Sequence, residues 1–132
     1  MTVESPVVTE PHIRLLIVDD HPAVRKGLTS LLNNEPDMEV IAAVGSGEEA
    51  VAAARTTTPD VVLMDVSMPG MGGIEATRQL ASAHPGLRVV MLTSFGGHKR
   101  LHTALENGAV GYLVKDATPQ EILRTLRYVA RF

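Results

Sequence analysis

The chain has no cysteine and no tryptophan, and of its 132 residues only two are Phe and two are Tyr. Without cysteine there are neither disulfides nor thiolate metal sites, and a reducing compartment is compatible. With so few aromatics, the hydrophobic share of 45% falls to Val, Leu, Ile, Ala and Met. Such an aliphatic core suits parallel strands and amphipathic helices. No apolar run approaches the ~18 residues of a membrane span, and the N-terminus lacks the basic-then-apolar order of a secretory signal, so a cytoplasmic protein with no membrane partner is expected. Basic residues are few and scattered in a chain of net charge −3. That excludes a general polyanion footprint, and this stretch is not expected to bind nucleic acid by itself. The length suits one domain, which buries about two-thirds of its unfolded surface.

What is present is a repeating order of short apolar runs and amphipathic stretches. Residues 1–12 carry Glu4, Pro6, Glu10 and Pro11 without periodicity and read as a disordered leader. Ile13 to Val18 is a buried strand that delivers Asp19 and Asp20. Pro22 fits the first turn of a helix whose face is Val24, Leu28, Leu31 and Leu32. Met38 to Val44 reads as a second strand, and Ser46-x-x-Glu49 as a capping box opening an Ala-rich helix that ends before Pro59. Val61 to Met64 has the length and branching of a strand buried on both faces. It ends in Asp65, with Pro69-Gly70 four residues on. A helix with Ile74, Thr77, Leu80 and Ala81 on one side stops at His84-Pro85-Gly86. Arg88 to Leu92 is the fourth strand and runs into Thr93-Ser94.

A weaker helix should turn Leu101, Ala104 and Leu105 inward, with Gly96-Gly97 softening its start and Asn107-Gly108 closing it. Val110 to Val114 delivers Lys115. Thr118-Pro119-Gln120-Glu121 then opens a last helix with Ile122, Leu126, Val129 and Ala130 on one stripe. Five strand–helix units with short connections predict an α/β fold, a doubly wound parallel sheet of five strands with helices on both faces.

In such sheets ligands bind in the crevice outside the carboxyl ends of the strands. Strand ends one, three, four and five present Asp19-Asp20, Asp65, Thr93 and Lys115. Each alone has an innocent explanation: helix capping, turn capping, a local hydroxyl bond, a surface charge. Gathered at one edge they are harder to excuse. Two like charges ~4 Å apart repel by about 4 kcal/mol at an effective dielectric of 20, so clustered carboxylates need a cation or must take up protons. All-oxygen ligands favour Mg²⁺, or Mn²⁺, over zinc. A carboxylate beside such an ion, a hydroxyl and a lysine has the parts for accepting a phosphoryl group. Asp65, the central acid without an acidic neighbour, is the expected nucleophile.

The stretches Val18-Asp19-Asp20-His21-Pro22-Ala23-Val24-Arg25-Lys26-Gly27-Leu28, Asp65-x-x-Met68-Pro69-Gly70-Met71-x-Gly73, Leu92-Thr93-Ser94 and Gly108-Ala109-x-Gly111-Tyr112-Leu113-x-Lys115-Asp116 together resemble the receiver domain of bacterial two-component response regulators, specifically the NarL/FixJ (LuxR-type) subfamily. The resemblance runs over residues 13–132. It implies a flavodoxin-like (βα)5 fold, phosphorylation of Asp65 by a sensor histidine kinase, and Mg²⁺ held by Asp20, Asp65 and the Ser67 backbone carbonyl with Asp19 nearby. It also implies switching through Thr93 and Tyr112. Relatives usually continue into a DNA-binding helix-turn-helix domain, which this chain lacks, so DNA is expected as a partner only through that domain. A homodimer on phosphorylation is expected, through the first and fifth helices (Arg25, Lys26, Thr29, Arg124, Arg127, Tyr128) or the fourth-helix face beside Tyr112. Phe95, two beyond Thr93, is expected to slow loss of the phosphoryl group.

Other features read more plainly. Gly70-Met71-Gly72-Gly73 lacks the spacing and lysine of a nucleotide loop and is taken as a flexible turn. His98 and His102 have metal-pair spacing but are expected on an exposed helix face. Arg124, Arg127 and Arg131 are expected to be a solvated edge. Two rival functions stand beside the phosphoacceptor switch: a Mg²⁺-dependent aspartyl phosphohydrolase, against which Asp65-Val66-Ser67 lacks a second acid, and a receiver-like scaffold that is never phosphorylated.

Overall fold

A computed structural model describes residues 12–94 and 98–131, with the side chains of 98–101 excepted. The leader expected over residues 1–12 lies, except for His12, outside the described residues, as do Phe95 and the Gly96-Gly97 start of the fourth helix. Five strands alternate with five helices: β1 (Ile13–Val18), α1 (Pro22–Asn33), β2 (Met38–Val44), α2 (Gly47–Thr57), β3 (Val61–Asp65), α3 (Gly72–Ala83), β4 (Arg88–Thr93), α4 (His98–Glu106), β5 (Ala109–Val114) and α5 (Pro119–Ala130). All pairings are parallel, in the order β2-β1-β3-β4-β5. This is the doubly wound, flavodoxin-like sheet expected from the sequence.

Period-two alternation divides the core. Leu15, Ile17, Leu63, Val90 and Leu92 face α1 and α5, meeting Leu28, Leu32, Ile122, Leu126 and Val129. Leu16, Val18, Val62, Met64 and Met91 face the other way, onto Ala50, Ala54, Ala76, Leu80 and Ala104 of α2, α3 and α4. Each fully buried aliphatic side chain of this kind stabilises the fold by about 1.5–3 kcal/mol. Caps agree closely with the sequence. Thr118 and Glu121 form a reciprocal capping box with Pro119 in the first turn. At α2 the box is only half formed: Ser46 Oγ accepts from Glu49 N–H, but the Glu49 carboxylate reaches one residue further and accepts from Gly45 N–H.

Two expectations are corrected. Leu105 is 43% exposed, and among the described side chains of α4 the inward position belongs to Ala104. Leu105 therefore flanks the contact and does not fill it. Arg127 is not a solvated charge: its Nε and Nη2 donate to the two Asp37 oxygens, each at 2.9 Å, and Nη2 also donates to Glu35 Oε1 at 2.7 Å. Arg124 and Arg131 are exposed as expected. This fork ties α5 to the α1–β2 connection and holds the Asp37 carboxyl below its ordinary value of 3.8, chiefly through the guanidinium hydrogen bonds.

A carboxylate whose folded pKa is depressed contributes stability that is complete above its unfolded pKa and lost as pH falls through the folded one. Arg127→Ala should therefore destabilise the protein by about 1 kcal/mol at neutral pH and low salt, since the group is partly exposed and screened. Urea unfolding of wild type and variant should show the gap closing below about pH 4. A gap that does not narrow at all as pH is lowered past 3.8 would assign the effect to lost packing.

Candidate functional site

The parallel ladder runs one step past the strand ends and fixes the backbone just beyond them. Asp19 N–H donates to Val44 O at 3.0 Å, Val66 N–H to Leu92 O at 3.0 Å, and Lys115 N–H to Thr93 O at 2.9 Å. Val18 pairs with Met64, so Asp19 and Asp65 leave adjacent strands side by side. Both carboxylates are buried, at 0% and 1% exposed, and Asp20 stands at the rim. Lys115 Nζ lies 3.2 Å from Asp19 Oδ2 and 3.2 Å from Asp65 Oδ2. Beyond these ion pairs, Asp19 Oδ2 and Asp65 Oδ2, like Asp20 Oδ1 at the rim, have no further hydrogen-bond donor among the described residues.

The electrostatics result from that crowding. Desolvation, and then the Asp19 charge, push the Asp65 carboxyl up from its ordinary value, against the opposing pull of Lys115 and of the Ser67 N–H, which donates to Asp65 Oδ1 at 3.1 Å. Desolvation also works against the Lys115 charge, but the two carboxylates outweigh it and hold the ammonium above the ordinary lysine value. One lysine thus faces two buried acids and a third at the rim. The orphaned oxygens and surplus negative charge fit a divalent cation with oxygen ligands.

The other candidate residues surround this cluster or lie away from it. Thr93 is nearly buried at the end of β4, and its hydroxyl donates to the Ser94 carbonyl at 3.0 Å. Tyr112 stands on the edge strand β5, 51% exposed. Ser67 contributes the N–H to Asp65 already described. His102 is exposed, beside Glu106, and the His98 side chain lies outside the described residues. Of the stretch taken as a flexible turn, only Gly70 and Met71 form the turn, and Gly72 and Gly73 open α3; Gly70 and Gly72 are left-handed, a conformation open to glycine.

Three participants escaped the sequence reading. The His21 ring nitrogen Nδ1 lies 2.9 Å from Asp19 Oδ1 and 3.2 Å from Asp20 Oδ1. Arg25 Nη1 donates to the Asp19 carbonyl at 2.6 Å. Glu48 reaches from α2 to accept the Met71 N–H at 3.3 Å, gripping the loop after Asp65. Only His21 left a signal in the sequence, its place directly after the acid pair.

A lysine bridging two buried acids at the carboxyl edge of a 2-1-3-4-5 parallel sheet defines the class: a flavodoxin-like domain with an acidic pocket. The chain belongs to the response regulator receiver domain family, whose model matches residues 15–127. It is 42% identical over 119 residues to the transcriptional regulatory protein YxjL of Bacillus subtilis, a match covering 90% of this chain and 55% of that protein. The chain thus spans little more than half the length of the curated relatives it matches. Among solved structures it is similar to the signal receiver domain of the response regulator NarL from Mycobacterium tuberculosis, with TM-score 0.87, 30% identity, and coverage of 92% of this chain and 98% of that one. It is also similar to a chain of the CheX–CheY–BeF3–Mg²⁺ complex from Borrelia burgdorferi, with TM-score 0.82, 28% identity, and coverage of 89% and 88%. Its relatives include regulators of the LuxR type. No helix among the described residues is long and apolar enough to cross a membrane.

Proposed function

We propose that this domain, residues 13–132, is a phosphoacceptor switch: it takes a phosphoryl group onto Asp65 from the phosphohistidine of a sensor kinase. The observation that carries the reading is the pair of buried carboxylates sharing one lysine while keeping unbonded oxygens. In the transfer the Asp65 carboxylate forms a P–O bond as the P–N bond breaks, and the electron pair leaves with the imidazole nitrogen. Lys115 holds the transferred oxygens by charge, and the Ser67 N–H keeps the attacking carboxylate oriented. Asp19, Asp20, Asp65 and the Ser67 backbone carbonyl would hold Mg²⁺ or Mn²⁺, which would supply charge neutralisation for the phosphoryl oxygens.

The test is intact mass after incubation with acetyl phosphate and Mg²⁺. A gain of one phosphoryl group supports the switch. Catalytic turnover of phosphate esters would support an aspartyl hydrolase instead, and neither result would leave a scaffold.

Phosphorylation adds about −1.5 to −2 charge at Asp65. In this reading it draws the Thr93 hydroxyl away from Ser94 O and lets Tyr112 turn inward, altering the outer face. Thr93→Ala should therefore gain the phosphoryl group yet lose the change at Tyr112. The chain has no Trp and only two Tyr, so tyrosine fluorescence of a Tyr128→Phe background reports it. A wild-type response in Thr93→Ala would break this coupling.

The output is a change in homodimerisation, or release of a C-terminal helix-turn-helix domain through which alone DNA is bound. For the dimer the α1–α5 face is favoured. Because Arg127 is committed within the chain, charge reversal belongs at Arg124, with sedimentation of the phosphorylated protein as readout and Lys99 as the control on the α4 face.

A further inference from the structure

The phosphoacceptor reading leaves one group at the pocket without a role. His21, at the N-cap of α1, makes no side-chain capping bond, and its side chain is 61% exposed. Neither helix nor core needs this imidazole. Its Nδ1 nevertheless sits 2.9 Å from Asp19 Oδ1 and 3.2 Å from Asp20 Oδ1. Asp19, Asp20, His21 and Asp65 each offer one donor atom, and all four atoms lie within 4.8 Å of one another.

An ion with octahedral donors at about 2.1 Å keeps neighbouring donors roughly 3 Å apart. The His21 nitrogen has that spacing from both oxygens. Hydrogen bonding accounts for one of the two contacts: Asp19 Oδ1 accepts the His21 backbone N–H at 2.8 Å and, when Nδ1 carries the ring proton, that nitrogen as well at 2.9 Å. It does not account for the other, since Asp20 Oδ1 has no directed hydrogen bond in spite of the ring beside it. Two buried oxygens of the same cluster, Asp19 Oδ2 and Asp65 Oδ2, each 3.2 Å from Lys115 Nζ, are likewise without one.

We propose that His21 is a nitrogen donor to the ion site and sets its metal preference, favouring Mn²⁺ and later first-row ions over Mg²⁺. The inference rests on the reading of the pocket as an ion site. Carboxylate and carbonyl oxygens suit Mg²⁺, Ca²⁺ and Mn²⁺ alike, whereas imidazole adds affinity along the first-row series and little for Mg²⁺. Nδ1 donates its lone pair only when the ring proton sits on Nε2, and the exposure of the ring allows water to bind there.

Tag-free protein loaded with Mn²⁺ gives a direct readout by pulsed electron paramagnetic resonance. A ¹⁴N modulation from directly bound nitrogen is expected in wild type and should vanish in His21→Ala. Calorimetry should show Mn²⁺ affinity falling about tenfold in the variant, with Mg²⁺ affinity changing less than about threefold. Circular dichroism checks that the variant keeps its fold. Bound Mn²⁺ without nitrogen coupling in wild type, coupling that survives in His21→Ala, or equal affinity losses for the two ions would overturn the proposal while leaving the ion site standing. Wild-type protein that binds neither Mn²⁺ nor Mg²⁺ would overturn both the proposal and the reading beneath it.

Discussion

Replacing Asp65 by Asn is expected to reduce the phosphoryl gain from acetyl phosphate to background, with no fall in the unfolding midpoint. Asn keeps the shape of the side chain and removes the nucleophilic carboxylate. It also removes a buried charge that desolvation and Asp19 disfavour. A carboxyl group whose folded pKa is raised costs stability at every pH above that value, and the cost is relieved as pH falls through it. The neutral amide should therefore be tolerated at pH 7, so lost labelling will not reflect lost folding. Asp20→Ala is the matched experiment. Asp20 stands at the rim, its side chain 31% exposed, so its loss should leave the core intact and chiefly flatten the Mg²⁺ dependence of labelling. Labelling that persists in Asp65→Asn and maps to another residue would overturn the assignment.

The second large effect belongs to Gly73→Ala. A Cβ on Gly73 would lie 2.1 Å from the Asp65 carbonyl oxygen and 3.0 Å from Val66 Cα. Both are backbone atoms, so no rotamer change relieves the clash. Either α3 backs away from the sheet or the end of β3 shifts, and the second option moves the Asp65 carboxylate off Lys115. Overpacking of this kind costs about 3 kcal/mol, or roughly 10 °C in unfolding midpoint for a chain of this size. Gly72→Ala is the control. No atom lies within 4 Å of a Cβ there, so its cost is confined to a left-handed backbone at φ +77 and should be about 1 kcal/mol. Equal losses for the two variants would refute the steric account.

The difference between these neighbouring glycines shows where sequence reasoning stops. The turn read over Gly70 to Gly73 holds only for Gly70 and Met71, since α3 already begins at Gly72. That Gly73 is a point of close approach depends on where α3 lands on β3, which no local pattern encodes. The strands, the sheet and the convergence of Asp19, Asp65, Thr93 and Lys115 at one edge were legible for a related reason: apolar runs end abruptly in polar residues, and parallel topology puts all such ends together. Arg127 misled because its acceptors, Glu35 and Asp37, lie some 90 residues away, and an arginine on the polar side of a helix looks solvated from its neighbours alone. Leu105 misled because helical spacing cannot say how wide a stripe the sheet edge will cover. Glu48 and Arg25 were invisible for the same cause as Arg127, since each grips a backbone group presented by a different loop.

The sheet order also has a consequence in time. β1 is the first strand made but sits in the middle, between β2 and β3, and its residues Leu15 and Ile17 belong to a core shared with Leu28 and Leu32 of α1 and with Ile122, Leu126 and Val129 of the last helix. At about 5–20 residues per second of synthesis, β1 waits several seconds for the strand on its far side and longer for the last helix that completes this side of the core. No hairpin can shelter it meanwhile, since every pairing in the sheet is parallel and reaches across a helix. β1 thus has α1 and β2 beside it early, while its other edge stays open until β3 is made.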